Sequence, residues 1–268
     1  MKKFGVVGCG KMGTALMLAM KDIIDVPILC CDIALETAQN LAKQLGNLAT
    51  ATTKVEDIAH NCDVVLLSVK PGVAFDVLQI LAKGAQKTIF SIVAGYKEAD
   101  LKFATKRGYN ESSVCETVRM MPNTPALVGA SAMVILDSSL KEETKQLAMK
   151  LFSKTGECHF IKDESMMDAV TGLSGSGPAL FAMMTEALAD AGVAEGLPRD
   201  LAFALARQTM LGTAKLLEVQ HPAILKENVM SPGGTTAAGV LAAENAGFRA
   251  AAQSFVRAAT QKSRDMSH

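Results

Sequence analysis

Three short stretches carry residues whose types and spacing could do chemistry. Near the start, GVVGCGKMG sets Gly8, Gly10 and Gly13 in a GxGxxG pattern. In the second half, GLSGSG, Gly172 to Gly177, places Ser174 and Ser176 among glycines. Later still, SPGGTT, Ser231 to Thr236, interrupts a run of helix formers. A glycine pattern that leaves a strand and opens a helix suits a pyrophosphate. The first glycine permits the tight turn, the second lets backbone approach the phosphates, and the third lets helix and strand pack closely. The helix end adds unpaired N–H groups and the positive end of its dipole. A small carboxylate can be held in the same way if Thr235 or Thr236 starts a helix, with Gly233 and Gly234 clearing the approach. On spacing alone, that reading and a plain helix–helix corner with a threonine cap stand level.

Asp32 ends the second predicted strand, 19 residues after Gly13. An acid there can accept both ribose hydroxyls of an adenosine and repel a 2′-phosphate. DIALE has no Lys or Arg close behind it to bind such a phosphate. The plainer role for Asp32 is the N-cap of the following helix. SVKPG, Ser68 to Gly72, and IVAG, 92–95, fall at the carboxyl ends of strands, where an open parallel sheet places its ligands. Lys70 there is open to three roles: catalysis, contact with a cofactor, or solvation. Pro71 implies a fixed turn.

Other chemistries find less support. The cysteines at 9, 30, 31, 62, 115 and 158 form no CxxC pair and no zinc spacing, so they read as buried reduced thiols, with no metal site. His60, His159 and His268 fit no catalytic setting, and His221 precedes a proline at an expected helix start. GLSGSG is not a nucleophile elbow after a strand, so a serine hydrolase is disfavoured.

The elements that must position these residues alternate through the first half. KKFGVVG, VPILCCD, CDVVLLSVKP and TIFSIVAG read as strands; KMGTALMLAMKD, ALETAQNLAKQLG and GVAFDVLQILAKG read as helices between them. SSVCETVRMMP and LVGASAMVIL complete the strand-like set. The alternation predicts an α/β fold, a parallel doubly wound sheet covered on both faces, over residues 1–161. Residues 162–268 read as helices only, and several are apolar on most sides, which predicts burial against a second copy of the chain. Lys plus Arg and Asp plus Glu number 27 each, so no global field favours nucleic acid or an anionic membrane. Apolar runs are broken well before the length of a membrane span, and MKKFGVVGCGKMG lacks the apolar stretch of a signal peptide. A cytoplasmic protein is expected.

GCGKMG, VKPG, RMMPNTPALVGAS, GLSGSGPA, EALADAGV, HPAILKENVMSPGGTT and GFRAA occur in an order that resembles the pyrroline-5-carboxylate reductases over almost the whole chain. The resemblance implies a Rossmann-like N-terminal domain and a C-terminal all-α dimerisation domain. It implies reduction of 1-pyrroline-5-carboxylate to L-proline by NAD(P)H, the last step of proline biosynthesis. By the same resemblance Gly8, Cys9, Gly10, Lys11, Met12 and Gly13 form the pyrophosphate loop. Ser68, Val69, Lys70, Pro71 and Ala94 lie along the cofactor toward the nicotinamide. Asn123 and Gly233, Gly234, Thr235 and Thr236 flank the substrate, which favours the carboxylate reading of SPGGTT. The resemblance further implies a homodimer with interleaved helices, with a higher oligomer of dimers left open, and a site built from the N-terminal domain of one subunit and the helical half of its partner. The chain departs from many members at CDIAL, where they carry residues suited to a 2′-phosphate, and at Val219, where some carry an acid. Asp32 therefore favours NADH over NADPH.

The chemistry agrees with the residues. Reducing a carbonyl needs an acid for the oxygen. The GxxGxGxxxK pattern of β-hydroxyacid dehydrogenases supplies a lysine, and here that position is Phe181. A protonated cyclic imine is already electrophilic, so the protein must mainly orient the reactants and hold the carboxylate. Ser174, Ser176, Thr235 and Thr236 can supply hydroxyls, with Ser174, Ser176 and Thr236 the candidate catalytic groups. The alternatives are an opine- or hydroxyacid-type dehydrogenase and a non-catalytic nucleotide-binding protein. Asp32→Ser is expected to narrow the preference between NADH and NADPH by roughly 1–2 kcal/mol. The ratio of kcat/KM for the two cofactors measures it; a wild type that strongly prefers NADPH contradicts the role given to Asp32.

Overall fold

The structure, a computed structural model, describes residues 3–84, 86–106 and 115–266. Eight strands form one sheet: β1 (Phe4–Val7), β2 (Ile28–Cys31), β3 (Ala49–Thr52), β4 (Val64–Leu67), β5 (Lys87–Ser91), β6 (Cys115–Met121), β7 (Ser131–Leu136) and β8 (Gly156–Ile161). Their order is β3-β2-β1-β4-β5-β6-β7-β8. The first six are parallel and follow the doubly wound order of a dinucleotide-binding sheet. The expectation of a wholly parallel sheet needs correction at one edge. β7 runs antiparallel to β6, and β8 parallel to β7. Between β6 and β7 lies only a short 3₁₀ turn, Thr124–Val128, too short for the crossover that a parallel pair requires. That turn also takes Leu127 and Val128, so β7 is shorter than the expected strand.

Alternation along the strands sends side chains to two cores. Phe4, Val6, Val64 and Leu66 point to a face covered by α1 (Lys11–Met20), α2 (Leu35–Leu45) and later α6 (Glu142–Phe152). Val7, Val65 and Leu67 point to the other, covered by α3 (Val55–Asn61), α4 (Pro71–Ala82) and α5 (Glu98–Ala104). The central strands β1, β2 and β4 are buried throughout, as their continuous apolar runs require. Of the strand expected over 112–122, residues 112–114 lie outside the described residues, as does His268.

After β8 the chain turns through a 3₁₀ turn (Glu164–Met166), a single α turn α7 (Met167–Val170) and a π turn (Thr171–Gly175). Long helices follow: α8 (Gly177–Ala194), α9 (Arg199–Leu217), α10 (Pro222–Val229), α11 (Thr235–Asn245) and α12 (Phe248–Met266). The unbroken alanine-rich run after SPGGTT reads as one helix in the sequence, but α11 and α12 part at Gly247, a residue suited to a helix C-terminus. By contacts the chain divides into one unit ending at Gly175 that takes back the chain from Ala259, and a second, Ser176–Ala258. The second unit has little interior of its own. Among the described residues its buried positions are Gly177, Ala189, Ala202 and Ala206, all small. Phe181, Met183, Phe203, Leu241 and Phe248 are each more than half exposed. Among the described residues no helix is long and apolar enough to cross a membrane.

Candidate functional site

The glycine loop is built by close approach. Gly8, with φ +92°, turns the chain out of β1, and a Cβ on it would lie 2.3 Å from the Ser68 carbonyl oxygen. A Cβ on Gly13 would lie 2.1 Å from the carbonyl oxygen of Gly8 and 3.1 Å from Ser68 Oγ. A Cβ on Gly10 would meet nothing within 4 Å. The three glycines thus divide their work: two let α1, β1 and the end of β4 touch, while the third faces open space at the start of α1. Gly10 is the N-cap of that helix, and no side chain caps it, so the first N–H groups of α1 are available to an anion. Lys11 is exposed and Met12 half-buried beside them.

Asp32 is tied to the same loop. Its Oδ2 accepts the N–H of Cys9 at 2.8 Å and its Oδ1 accepts that of Ala34 at 3.0 Å. Each oxygen keeps further acceptor capacity, which is what two ribose hydroxyls would need. The bond to Ala34 also satisfies the turn into α2, so the ribose and turn roles of Asp32 coexist. The loop and the carboxylate fit a dinucleotide: an open glycine, an uncapped helix start and an anchored acid stand together at the carboxyl ends of β1 and β2. Ile33, beside Asp32, is 97% exposed.

Ser68 and Val69 are half-buried at the end of β4, and Lys70 and Pro71 are exposed. Ser68 joins the glycine loop directly: its N–H bonds the Val7 carbonyl, and its side chain packs over Gly13. Pro71 takes the first position of α4, where its missing N–H costs nothing. Ala94 is half-buried after β5. The thiols are packing groups. Burial pushes Cys31 up to about 12 and Cys62 to about 11, and the neighbouring Cys30 thiol together with burial raises Cys9, whose thiol donates to the Cys31 carbonyl oxygen at 3.4 Å. Five of the six cysteines are buried, and Cys158 is half-buried.

Asn123 is buried at the end of β6, and both ends of its amide are engaged. Oδ1 accepts the Ala132 N–H at 3.1 Å, and Nδ2 donates to the Ser174 carbonyl at 3.0 Å. The second bond has a covalent reason. In a continuous helix the Ser174 carbonyl would accept from residue 178, which is proline and has no N–H. Asn123 fills that vacancy and draws Ser174 to the edge of the sheet. The Ser174 hydroxyl bonds back to the Val170 carbonyl at 3.1 Å. The glycine segment is therefore a π turn leading into α8, the kind of local widening that often marks functional sites.

In the second unit SPGGTT forms a tight turn. The Gly234 N–H bonds the Ser231 carbonyl at 3.0 Å, and Gly233, at φ +69°, takes the position after Pro232 that needs a left-handed backbone. Gly234 is the N-cap of α11, with no side-chain cap. The threonine cap of the plainer reading is thus absent: Thr235 and Thr236 are the first two residues inside the helix. A Cβ on Gly234 would lie 2.3 Å from Ser231 Oγ. His221 caps α10 through Nδ1, and Val219 is 82% exposed after α9.

Known proteins resemble this chain in both halves. A family model described as pyrroline-5-carboxylate reductase dimerisation matches residues 164–266, and one described as NADP oxidoreductase, coenzyme F420-dependent, matches residues 3–95. A pyrroline-5-carboxylate reductase of Arabidopsis thaliana is 38% identical over 99% of this chain and 95% of that protein. One of Escherichia coli (strain K12) is 35% identical over 99% and 98%. Among solved structures, a pyrroline carboxylate reductase of Plasmodium falciparum with NADP bound is 29% identical, covers 100% of this chain and 98% of that one, and has a TM-score of 0.85. One from Coxiella burnetii, 26% identical with coverage of 99% and 98%, has a TM-score of 0.88.

The glycine loop yields a paired test. Gly10→Ala is expected to leave the thermal midpoint near wild type, because its Cβ meets no protein atom, yet to lower dinucleotide affinity at least tenfold, or about 1.4 kcal/mol. Gly13→Ala is expected to destabilise the fold itself. Calorimetric titration beside thermal unfolding separates them; equal cofactor affinity in Gly10→Ala and wild type contradicts the assignment of the loop.

Proposed function

Because the chain belongs to the pyrroline-5-carboxylate reductase family, we infer that it reduces 1-pyrroline-5-carboxylate to L-proline with NAD(P)H, closing proline biosynthesis in the cytoplasm. The observation that carries the substrate is the uncapped start of α11 behind the Gly233–Gly234 turn. A carboxylate can accept its free N–H groups with no side chain in the way, and the helix dipole favours the negative charge. Thr235 and Thr236 add hydroxyls at the same point. The cofactor supplies a hydride. The glycine loop, Gly8 to Gly13, holds its pyrophosphate, Asp32 its adenosine ribose, and Ser68 to Pro71 with Ala94 support it toward the nicotinamide.

In this reading Asp32 selects NADH, through ribose hydroxyls that a 2′-phosphate would replace. Ile33 offers its bare side chain to the adenine. Ser174, Ser176 and Thr236 are the candidate hydroxyls for the imine nitrogen and the carboxylate. Asn123 acts through its hold on Ser174, and its amide has a second hydrogen for the substrate. Functionally the chain divides near 161/162, with cofactor residues before that point and substrate and assembly residues after it, Asn123 apart. The helical part forms a homodimer, with larger assemblies of dimers open to it. What supports this is a helical unit whose buried residues are all small while its large apolar residues lie bare.

Two measurements follow. Thr236→Val should keep the fold but lose about 1–3 kcal/mol of transition-state stabilisation, the range for one unmade bond to a charged group. Gly234→Val should lose more, because its Cβ would collide with Ser231 Oγ. NADH affinity should hold in both. If both variants reduce 1-pyrroline-5-carboxylate normally, or if they lose NADH affinity instead, the turn is only a corner. Sedimentation should give a dimer mass or a multiple of it. A stable, active monomer contradicts the assembly.

A further inference from the structure

A buried guanidinium on β6 has no role in the reading above. Arg119 sits beside Ser91 of β5, and its side chain is 5% exposed. A buried charge needs a partner. The partner is Glu164, at the start of the turns that lead to Ser174; Arg119 Nη1 donates to its Oε1 at 2.7 Å. The same oxygen accepts the backbone N–H of Glu98 at 2.6 Å, in the first turn of α5. One carboxylate therefore joins β6, the start of α5 and the beginning of the segment 164–175.

That segment changes its bonding pattern twice, from 3₁₀ to α to π, within twelve residues. No single regular ladder sets its position along the sheet. Side-chain ties do: Arg119 to Glu164 at one end, Ser263 of α12 to Asp168 in the middle at 2.7 Å, and Asn123 to the Ser174 carbonyl at the other, and the first and last of these bracket the segment. The anchors of the bracketing pair, Arg119 and Asn123, are only four residues apart on β6 and the turn after it. We propose that Arg119 and Glu164 form a positioning pair for imine reduction, fixing the segment 164–175 so that Ser174 is presented at one place on the sheet edge. The proposal rests on the functional reading for its kinetic arm and on the geometry alone for its structural arm.

The test must separate position from stability. Glu164→Leu alone leaves a buried guanidinium unpaired and is expected to lower stability. The double variant Arg119→Met/Glu164→Leu replaces the pair with apolar side chains of similar size, a change that often restores stability. The expected result is a double variant with near wild-type thermal midpoint and NADH affinity within about twofold. Its amide exchange over 164–175 should be about tenfold faster, and its kcat for 1-pyrroline-5-carboxylate lower by about 10- to 100-fold. Glu164→Gln keeps the oxygen acceptor but not the counter-charge, so its thermal midpoint should fall between those of wild type and Glu164→Leu while its amide exchange over 164–175 stays closer to wild type than that of the double variant. Wild-type amide exchange over 164–175 in the double variant overturns the tie, whatever the substrate is. Faster exchange with normal kcat overturns the positioning role. A wild-type enzyme inactive on the imine contradicts the assigned reaction instead, and shows in the control before any variant is read.

Discussion

Everything at the carboxyl ends of β2, β1 and β4 depends on how closely α1 approaches the end of β1. The carbonyl oxygen of Gly8 stands where a side chain on Gly13 would begin. Only with that contact made does the N-terminus of α1 lie at the strand end, with its unpaired N–H groups at the edge of the sheet. Ser68 completes the corner from β4, its carbonyl against Gly8 and its side chain over Gly13. Asp32 closes it from β2 by taking the Cys9 N–H. Three adjacent parallel strands thus converge on one loop, and the acid that would read the ribose is also the group that fixes the loop.

A second constraint is covalent. Proline at 178 removes one N–H from the start of α8, and the carbonyl it leaves behind must find another donor. Asn123 provides it from the end of β6. Seen this way, PNTP and GLSGSGP are two parts of one device, distant in sequence and joined by a single bond. The second unit has a different economy: helices without a large-residue core of their own, in a segment matched by a family model for dimerisation.

Much of this was legible in the residues. The turn between β1 and α1, the end of β2 just before Asp32 and a helix start at Thr235 or Thr236 follow from turn chemistry, and the structure has α1 from Lys11, β2 ending at Cys31 and α11 from Thr235. β1, β2, β4 and β5 were visible because their apolar runs are buried on both faces. β3 and β8 were not. ATAT is half-exposed at one edge, and GECHFI alternates at the other, so neither carries the continuous apolar run of a central strand. The antiparallel β7 was hidden because strand direction is set by the length of a connection, and the 3₁₀ turn before it reads as strand. Gly247 sits in an alanine-rich stretch and gave little warning of the break between α11 and α12. The Arg119–Glu164 pair spans 45 residues, beyond the reach of any local pattern.

The central claim is that this chain reduces a cyclic imine. The most direct measurement is oxidation of NADH and NADPH, followed side by side, with 1-pyrroline-5-carboxylate, 2-oxo acids and β-hydroxyacids as separate partners. The account predicts turnover with 1-pyrroline-5-carboxylate alone, L-proline as product, and the higher kcat/KM with NADH. Turnover of a 2-oxo acid or β-hydroxyacid in place of the imine, or tight cofactor binding with no turnover of any imine, would contradict it.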